Sequence, residues 1–359
     1  MSEPKTATAG PGPAAAEASV VFVVPEGSPP SGGDLYNRFL VQALRAEGFA
    51  VEITTLERLE AAAYGPGSEF WVDSLYIPGL GQKDPFGPDD RLFFIIHSLP
   101  SEDARFRRGR TGRADGLREI EDGLFDRAAG FLLTGPTTRD VLAARGFEGV
   151  PALVVPPAPC VRPKGPPATP RVFGGLIVSS LIHGKGVPEF LDALGREVRA
   201  GDAFSLRIAG RTDIEPETAA ACLAAIERHP LLRRAVSHLG HISLEALRDE
   251  YGRSSALVCP SSSETFGMAF HEALAFGLPI LAVRARYAEP FIEDGRTGHL
   301  FGSAAELAGG MLELVRKPGR VKDLARAAER ARPKDATTWA DAARSFLKQR
   351  GGCAKLPGV

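Results

Sequence analysis

Short runs of consecutive apolar residues, each ending in a Gly, Pro or Ser loop and most leading into a helical stretch, recur along the whole chain. Ser19–Val24, Arg91–Ile96, Gly130–Thr134, Val172–Val178, Phe204–Gly210, Ala235–Leu239, Ala256–Cys259 and Pro279–Val283 read this way. A strand with no polar alternation is covered on both faces, and that is the condition of strands in parallel sheets flanked by helices. Ala50–Thr54 and Leu153–Val155 add shorter strands to the first half. The strand–helix–strand rhythm predicts an α/β protein with doubly wound sheets. The Pro-rich stretch within Pro151–Arg171 splits that rhythm into two halves and reads as a stiff linker. The expected organisation is a loose tail over 1–18, a first domain over 19–155, a linker over 156–171, a second domain over 172–334, and a terminal helix over 335–359 that ends loosely.

Composition narrows the function more than the fold. With 359 residues the chain can build two sizeable cores. Lys plus Arg number 43 against 44 Asp plus Glu, so no global charge favours nucleic acid or a membrane surface. No apolar run reaches the roughly 18 residues of a spanning helix, and the N-terminus lacks the pattern of a secretory leader. The four cysteines are scattered without a CxxC, which predicts reduced thiols and a cytoplasmic location.

The most informative stretch is Pro260–Leu281, PSSSETFGMAFHEALAFGLPIL. It leaves a strand, crosses a polar loop and enters a helix expected over about Phe266–Phe276. Within that helix only His271 and Glu272 are polar, so the helix is buried and Glu272 needs a partner. Glu264 lies eight positions earlier. On a continuous helix the two carboxylates would be about 12 Å apart, too far to share a proton but suited to the two ends of one elongated ligand. The free amides of the helix N-terminus lie between them and favour an anion. A nucleotide sugar has hydroxyls at both ends and phosphates in the middle. Another reading makes Ser261-x-x-Glu264 a capping box.

This E-x7-E stretch resembles the signature of the retaining family 4 glycosyltransferases of GT-B fold, in which two Rossmann-like domains face a central cleft. The resemblance covers about Ser19–Phe346 and is thin from Gly65 to Arg113. It implies that Glu264 reaches the donor sugar near the reacting carbon, that Glu272 holds the ribose, and that the backbone of Phe266, Gly267 and Met268 meets sugar and phosphate. It implies further that Gly32-Gly33 approaches the donor diphosphate, although by itself the pair is also a plain loop. His97 would touch the donor sugar or the acceptor, and its other reading is a structural histidine. Lys185 in Lys185-Gly186 would neutralise the diphosphate, which needs a counter-charge once out of water. The family usually carries an Arg five positions earlier, where this chain has Ser180; Arg211 or His183 could substitute. Ile242 would lie beside the nucleobase, and Thr137-Thr138 near the acceptor.

The remaining readings are local. Asp34 is expected to cap a helix running to Glu47, and Ser243 to cap the helix after Ile242. Arg105, Arg107, Arg108, Arg110 and Arg113 form a basic loop that either receives an anionic acceptor or is simply solvated. No Asp-x-Asp is present; Asp213-Ile214-Glu215 is its nearest imitation and is expected to cap a helix. No metal and no cofactor is expected. The anticipated activity moves a sugar from a UDP- or GDP-sugar to an acceptor with retention, and a small-molecule acceptor is favoured over lipid. Competing readings are a catalytically silent nucleotide-sugar-binding subunit, to which Ser180 lends footing, and a nicotinamide oxidoreductase, which the missing GxGxxG disfavours. Nothing in the sequence sets the oligomeric state.

Overall fold

The structure, a computed structural model, describes residues 19–26, 31–82, 84–102, 113–165, 172–261, 267–285, 287–333 and 337–353. Glu264, Phe266 and the basic positions Arg105 to Arg110 lie outside the described residues.

The first domain runs β1 (Val20–Val23), α1 (Gly32–Ala46), β2 (Glu52–Thr54), β3 (Glu69–Asp73), α2 (Ile77–Leu80), β4 (Arg91–Ile96), α3 (Arg113–Phe125), β5 (Ala128–Leu133), α4 (Pro136–Ala144) and β6 (Ala152–Val154). All its strand pairs are parallel, in the order β2-β1-β3-β4-β5-β6. The second domain runs β7 (Phe173–Val178), α5 (Val187–Glu197), β8 (Phe204–Ala209), α6 (Pro216–Arg228), α7 (Pro230–Ala235), β9 (Val236–Gly240), α8 (Leu244–Gly252), β10 (Ala256–Cys259), α9 (Met268–Ala275), β11 (Ile280–Val283), β12 (Gly298–Phe301), α10 (Ala304–Arg316) and α11 (Pro318–Ala331). Its sheet is also parallel, in the order β12-β11-β10-β7-β8-β9. The helix α12 (Trp339–Cys353) closes the described chain.

Burial follows the two-residue period of a strand. Along β1, Val20 and Phe22 face one core while Val21 and Val23 face the other. In the first core Trp71 stacks between Phe22 and Phe93, at centroid distances of 6.0 and 4.3 Å. Phe346 of α12 closes on the same indole at 4.9 Å, so the end of the chain packs on the first sheet. Polar contacts fix it there. The Gln349 side chain both accepts from Val154 N and donates to Val154 O, each at 3.0 Å, and so pairs like a strand with the edge β6. Arg350 and Arg91 meet the buried Glu69 carboxylate at 2.8 and 2.9 Å.

Two starts differ from the sequence reading. Ser31, not Asp34, caps α1. Asp34 occupies the third helical position and completes a capping box, its N–H donating to Ser31 Oγ at 3.2 Å and its carboxylate accepting from Ser31 N at 2.7 Å. Gly32 and Gly33 therefore form the first turn of α1 and not the loop before it. The helix after β10 begins at Met268, later than expected, because Gly267 adopts a left-handed φ of 57° at the cap position. Ser261 consequently does not cap it.

The strand orders place the crevices. In the first sheet β2 lies to one side of β1 and β3 to the other; in the second, β8 lies to one side of β7 and β10 to the other. Ligands of open α/β sheets bind beyond the strand ends where the order reverses. That rule selects the loops after β1 and β3 in one domain, and those after β7 and β10 in the other.

Candidate functional site

A cleft of about 510 Å³ opens between the two domains at those strand ends. It is lined by Gly32, Gly33 and His97 from the first domain, and by Ser180, Lys185, Arg211, Ile242, Gly267, Met268 and Glu272 from the second. The structure thus brings together every described residue singled out from the sequence. Thr137 and Thr138 also reach the cleft, at the start of α4. The N-terminal turns of α1 and α9 meet across it: a Cβ on Gly32 would lie 3.7 Å from Met268 Sδ.

Lys185 is held by a turn that only glycine can complete. Gly186 has a φ of 67°, and a Cβ there would lie 2.1 Å from the Pro260 carbonyl oxygen. The loop after β7 is thereby pressed against the loop after β10, and Ser261 Oγ reaches Gly184 O at 3.5 Å. Gly186→Ala combines left-handed strain with backbone overpacking, so it is expected to cost about 2–4 kcal/mol of stability. Denaturant unfolding measures this; a loss below about 0.5 kcal/mol, the range of neutral surface changes, would contradict the packing described.

Arg211 sits beside Ser180 because Leu181 N donates to Arg211 O at 2.9 Å across the strand ends. Its guanidinium makes a forked contact with Asp213, at 3.0 and 2.7 Å. That contact pulls the exposed Asp213 carboxyl down to about 2. Asp213 is thus a partner of Arg211 and does not cap α6. Glu215, at the cap position, instead accepts from His183 N at 2.9 Å and from the Thr218 hydroxyl at 2.9 Å. Ser243 does cap α8, accepting from Ala246 N at 3.2 Å.

Glu272 is 3% exposed. Its carboxyl accepts from the Tyr251 hydroxyl and from the backbone N–H of Cys160, in the segment that joins the domains. Burial pushes it up to about 7, and those two hydrogen bonds act against the rise. Tyr251 is itself fully buried and stacks on Phe276 at 5.3 Å. His271, on the same helix, is pushed down to about 4 by burial and meets the ring of Phe291 edge-on.

His97 follows β4 and is 4% exposed. Its Nε2 lies 2.9 Å from Asn37 Oδ1 and 3.2 Å from Asp73 Oδ2. Asn37 and Asp73 were missed by the sequence reading, since one sits mid-helix and the other ends a strand that the reading did not recognise. Also unforeseen are the apolar Leu75, Leu99 and Val141 on the first-domain wall, with Glu102 near them. Among the described residues no group of three or more His, Cys, Asp or Glu side chains is placed to hold a metal ion. Among the same residues no helix is long and apolar enough to cross a membrane.

Comparison with known proteins follows this geometry. Residues 174–317, most of the second domain, match the family model of glycosyl transferases group 1. No curated protein matches the chain. Sucrose-phosphate synthase from Thermosynechococcus elongatus superposes with a TM-score of 0.73 at 17% identity, over 94% of this chain and 100% of that one. HepE of Anabaena, solved with UDP and glucose, gives a TM-score of 0.70 at 15% identity, over 93% of this chain and 100% of that one. A glycosyltransferase of Rickettsia africae gives 0.65 at 13% identity, over 94% and 99%. At such identities the likeness is one of fold. The chain has the GT-B fold, two Rossmann-like doubly wound domains facing a central cleft, and its second domain carries the match to glycosyl transferases group 1.

Proposed function

We propose that the protein is a retaining glycosyltransferase that moves a sugar from a nucleotide-diphosphate sugar to an acceptor, without a metal ion. The observation that carries this reading is the meeting of Lys185, Arg211, the amide end of α9 and the buried Glu272 carboxylate in one cleft at the second domain's switch point. Structures of HepE with UDP-glucose and with UDP and glucose agree with such a donor for this fold. In this reading Glu272 accepts the ribose hydroxyls and Ile242 lies beside the base. Lys185 and the Gly267–Met268 amides face the diphosphate, where charge develops as the anomeric bond breaks. Arg211 supplies the guanidinium that Ser180 does not, and Gly32-Gly33 closes on the phosphates from the opposite domain. Glu264 and Phe266 complete the sugar end by resemblance. The incoming hydroxyl attacks on the face the leaving group departs, and the leaving phosphate oxygen takes its proton.

The acceptor belongs to the first-domain wall. His97, Thr137 and Thr138 offer polar contacts there, and Leu75, Leu99 and Val141 an apolar one. These features fit a small molecule with both hydroxyls and an apolar portion. The Pro-rich stretch over 156–171 is assigned as the hinge, and a cytoplasmic location is part of the same proposal. A screen of UDP- and GDP-sugars, read by released nucleoside diphosphate, is expected to identify one productive donor. NMR of the product is expected to show the donor's anomeric configuration preserved. An inverted product would refute the mechanism, and no release with any donor would refute the activity.

A further inference from the structure

The strongest unexplained feature is a polar cluster buried behind the first-domain wall of the cleft. His97, Asn37 and Asp73 are 4%, 1% and 0% exposed and come from three elements: the end of β4, the middle of α1 and the end of β3. Burying a carboxylate and an amide inside a hydrophobic sheet edge is unfavourable unless each is satisfied. Here the satisfaction is directional. Asp73 Oδ1 accepts from Leu75 N at 2.9 Å, and its Oδ2 accepts from Asn37 Nδ2 at 2.7 Å. A carboxylate only accepts, so the Asn37 amide must point its nitrogen at Asp73 and its oxygen at His97. His97 Nε2 then faces two acceptors, Asn37 Oδ1 and Asp73 Oδ2. Other contacts hold the ring. His97 N donates to Ser74 Oγ at 3.2 Å, Tyr36 meets the imidazole edge-on at 5.3 Å, and Gly33 leaves it room, since a Cβ there would lie 3.0 Å from Cδ2.

We infer that Asp73 and Asn37 are positioning residues that hold the His97 imidazole in its Nε2–H tautomer and in one orientation at the cleft wall. The inference rests on the glycosyl-transfer reading only for its consequence in catalysis; the tautomer itself does not depend on that reading. A neutral ring so held is a donor at Nε2 and an acceptor at Nδ1, which decides how it can meet a substrate hydroxyl. The substitution Asp73→Asn makes the logic testable. With its oxygen kept by Leu75 N, the new amide nitrogen takes the place of Oδ2. Asn37 must then flip its oxygen towards position 73 and its nitrogen towards His97. Nε2 becomes an acceptor and the proton moves to Nδ1.

The test is long-range proton–nitrogen NMR of the histidines in the full chain, with His97→Gln identifying the His97 signals, followed through a pH series to the neutral ring. The wild-type protein is expected to show the Nε2–H form, and Asp73→Asn the Nδ1–H form. Turnover of the variant is expected to fall about 10- to 100-fold with donor KM nearly unchanged. A wild-type ring found as Nδ1–H overturns the inference even if the variant does not fold. An unchanged tautomer in Asp73→Asn overturns it as well. A switched tautomer with full turnover removes its catalytic consequence. Absence of turnover in the wild-type protein counts against the glycosyl-transfer reading and leaves the tautomer result to stand or fall alone.

Discussion

Replacing Glu272 by Gln is expected to make the protein more stable and a weaker binder of its donor. The carboxyl is wholly enclosed, and burial holds it at about 7 against an ordinary 4.5. The sign follows from proton linkage. The unfolded chain releases this proton near 4.5 and the folded chain keeps it to about 7, so the folded state loses stability as pH rises between those values. Above that window the cost is about 3 kcal/mol, and below it the cost vanishes. Gln carries no charge to bury. Its stabilising effect should therefore be near zero at pH 4 and about 2–3 kcal/mol at pH 8, read by denaturant unfolding at the two pH values. A difference that is flat with pH would contradict the burial argument. Donor binding should move the other way. Ribose hydroxyls donate to an ionised carboxylate in charge-assisted bonds, so Gln should weaken the donor about 10- to 100-fold at pH 8. Wild-type affinity should decline as pH falls through about 7, whereas the variant's should not. Calorimetric titration at several pH values measures both. A stability cost held in place for the sake of a ligand contact is what a binding residue, as opposed to a packing residue, should show.

Lys185→Ala is expected to lower the rate of donor cleavage by about 10²- to 10³-fold, the usual consequence of removing one preorganised group from a site where charge develops. Arg211 and the amide end of α9 remain, so the loss should not be complete. The lysine stands between two glycines of left-handed φ, Gly184 at 83° and Gly186 at 67°. Its position is therefore set by the backbone more than by its own contacts, and the Ala variant should fold normally. Lys185→Arg should recover only part of the rate, because a planar fork does not replace a compact ammonium in a turn cut to one geometry. Initial rates of nucleoside diphosphate release measure this. A variant within threefold of the wild-type rate would remove Lys185 from the chemistry.

The apolar strands β1, β4, β7 and β10 are legible in the sequence because burial on both faces leaves an unbroken run that no other element requires. β3 is not. Its sequence, EFWVD, has an acid at each end, and acids there suggest a surface. Both are buried, Glu69 against Arg91 and Arg350, and Asp73 against Asn37 and His97. Arg350 lies 281 residues from Glu69, a distance no local pattern spans. The same limit explains Glu272. Its helix shows that a partner is needed, but the partners, Tyr251 and the Cys160 amide, come from elements whose own sequences carry no sign of it. The start of α1 was misplaced for a local reason, since Asp suits both the cap and the third helical position. The cleft was legible because glycines, a lysine and strand-end residues mark it in every strand–loop–helix unit that touches it. The cluster behind His97 was not, since it is made wholly of tertiary contacts.

The account stands on the seating of the nucleotide, and a crystal structure of the protein with UDP or GDP tests it most directly. It should show the ribose hydroxyls on the Glu272 carboxylate and the diphosphate between Lys185 and the N-terminus of α9. A nucleotide bound outside the interdomain cleft, or one whose ribose leaves Glu272 with only Tyr251 and Cys160, would contradict it.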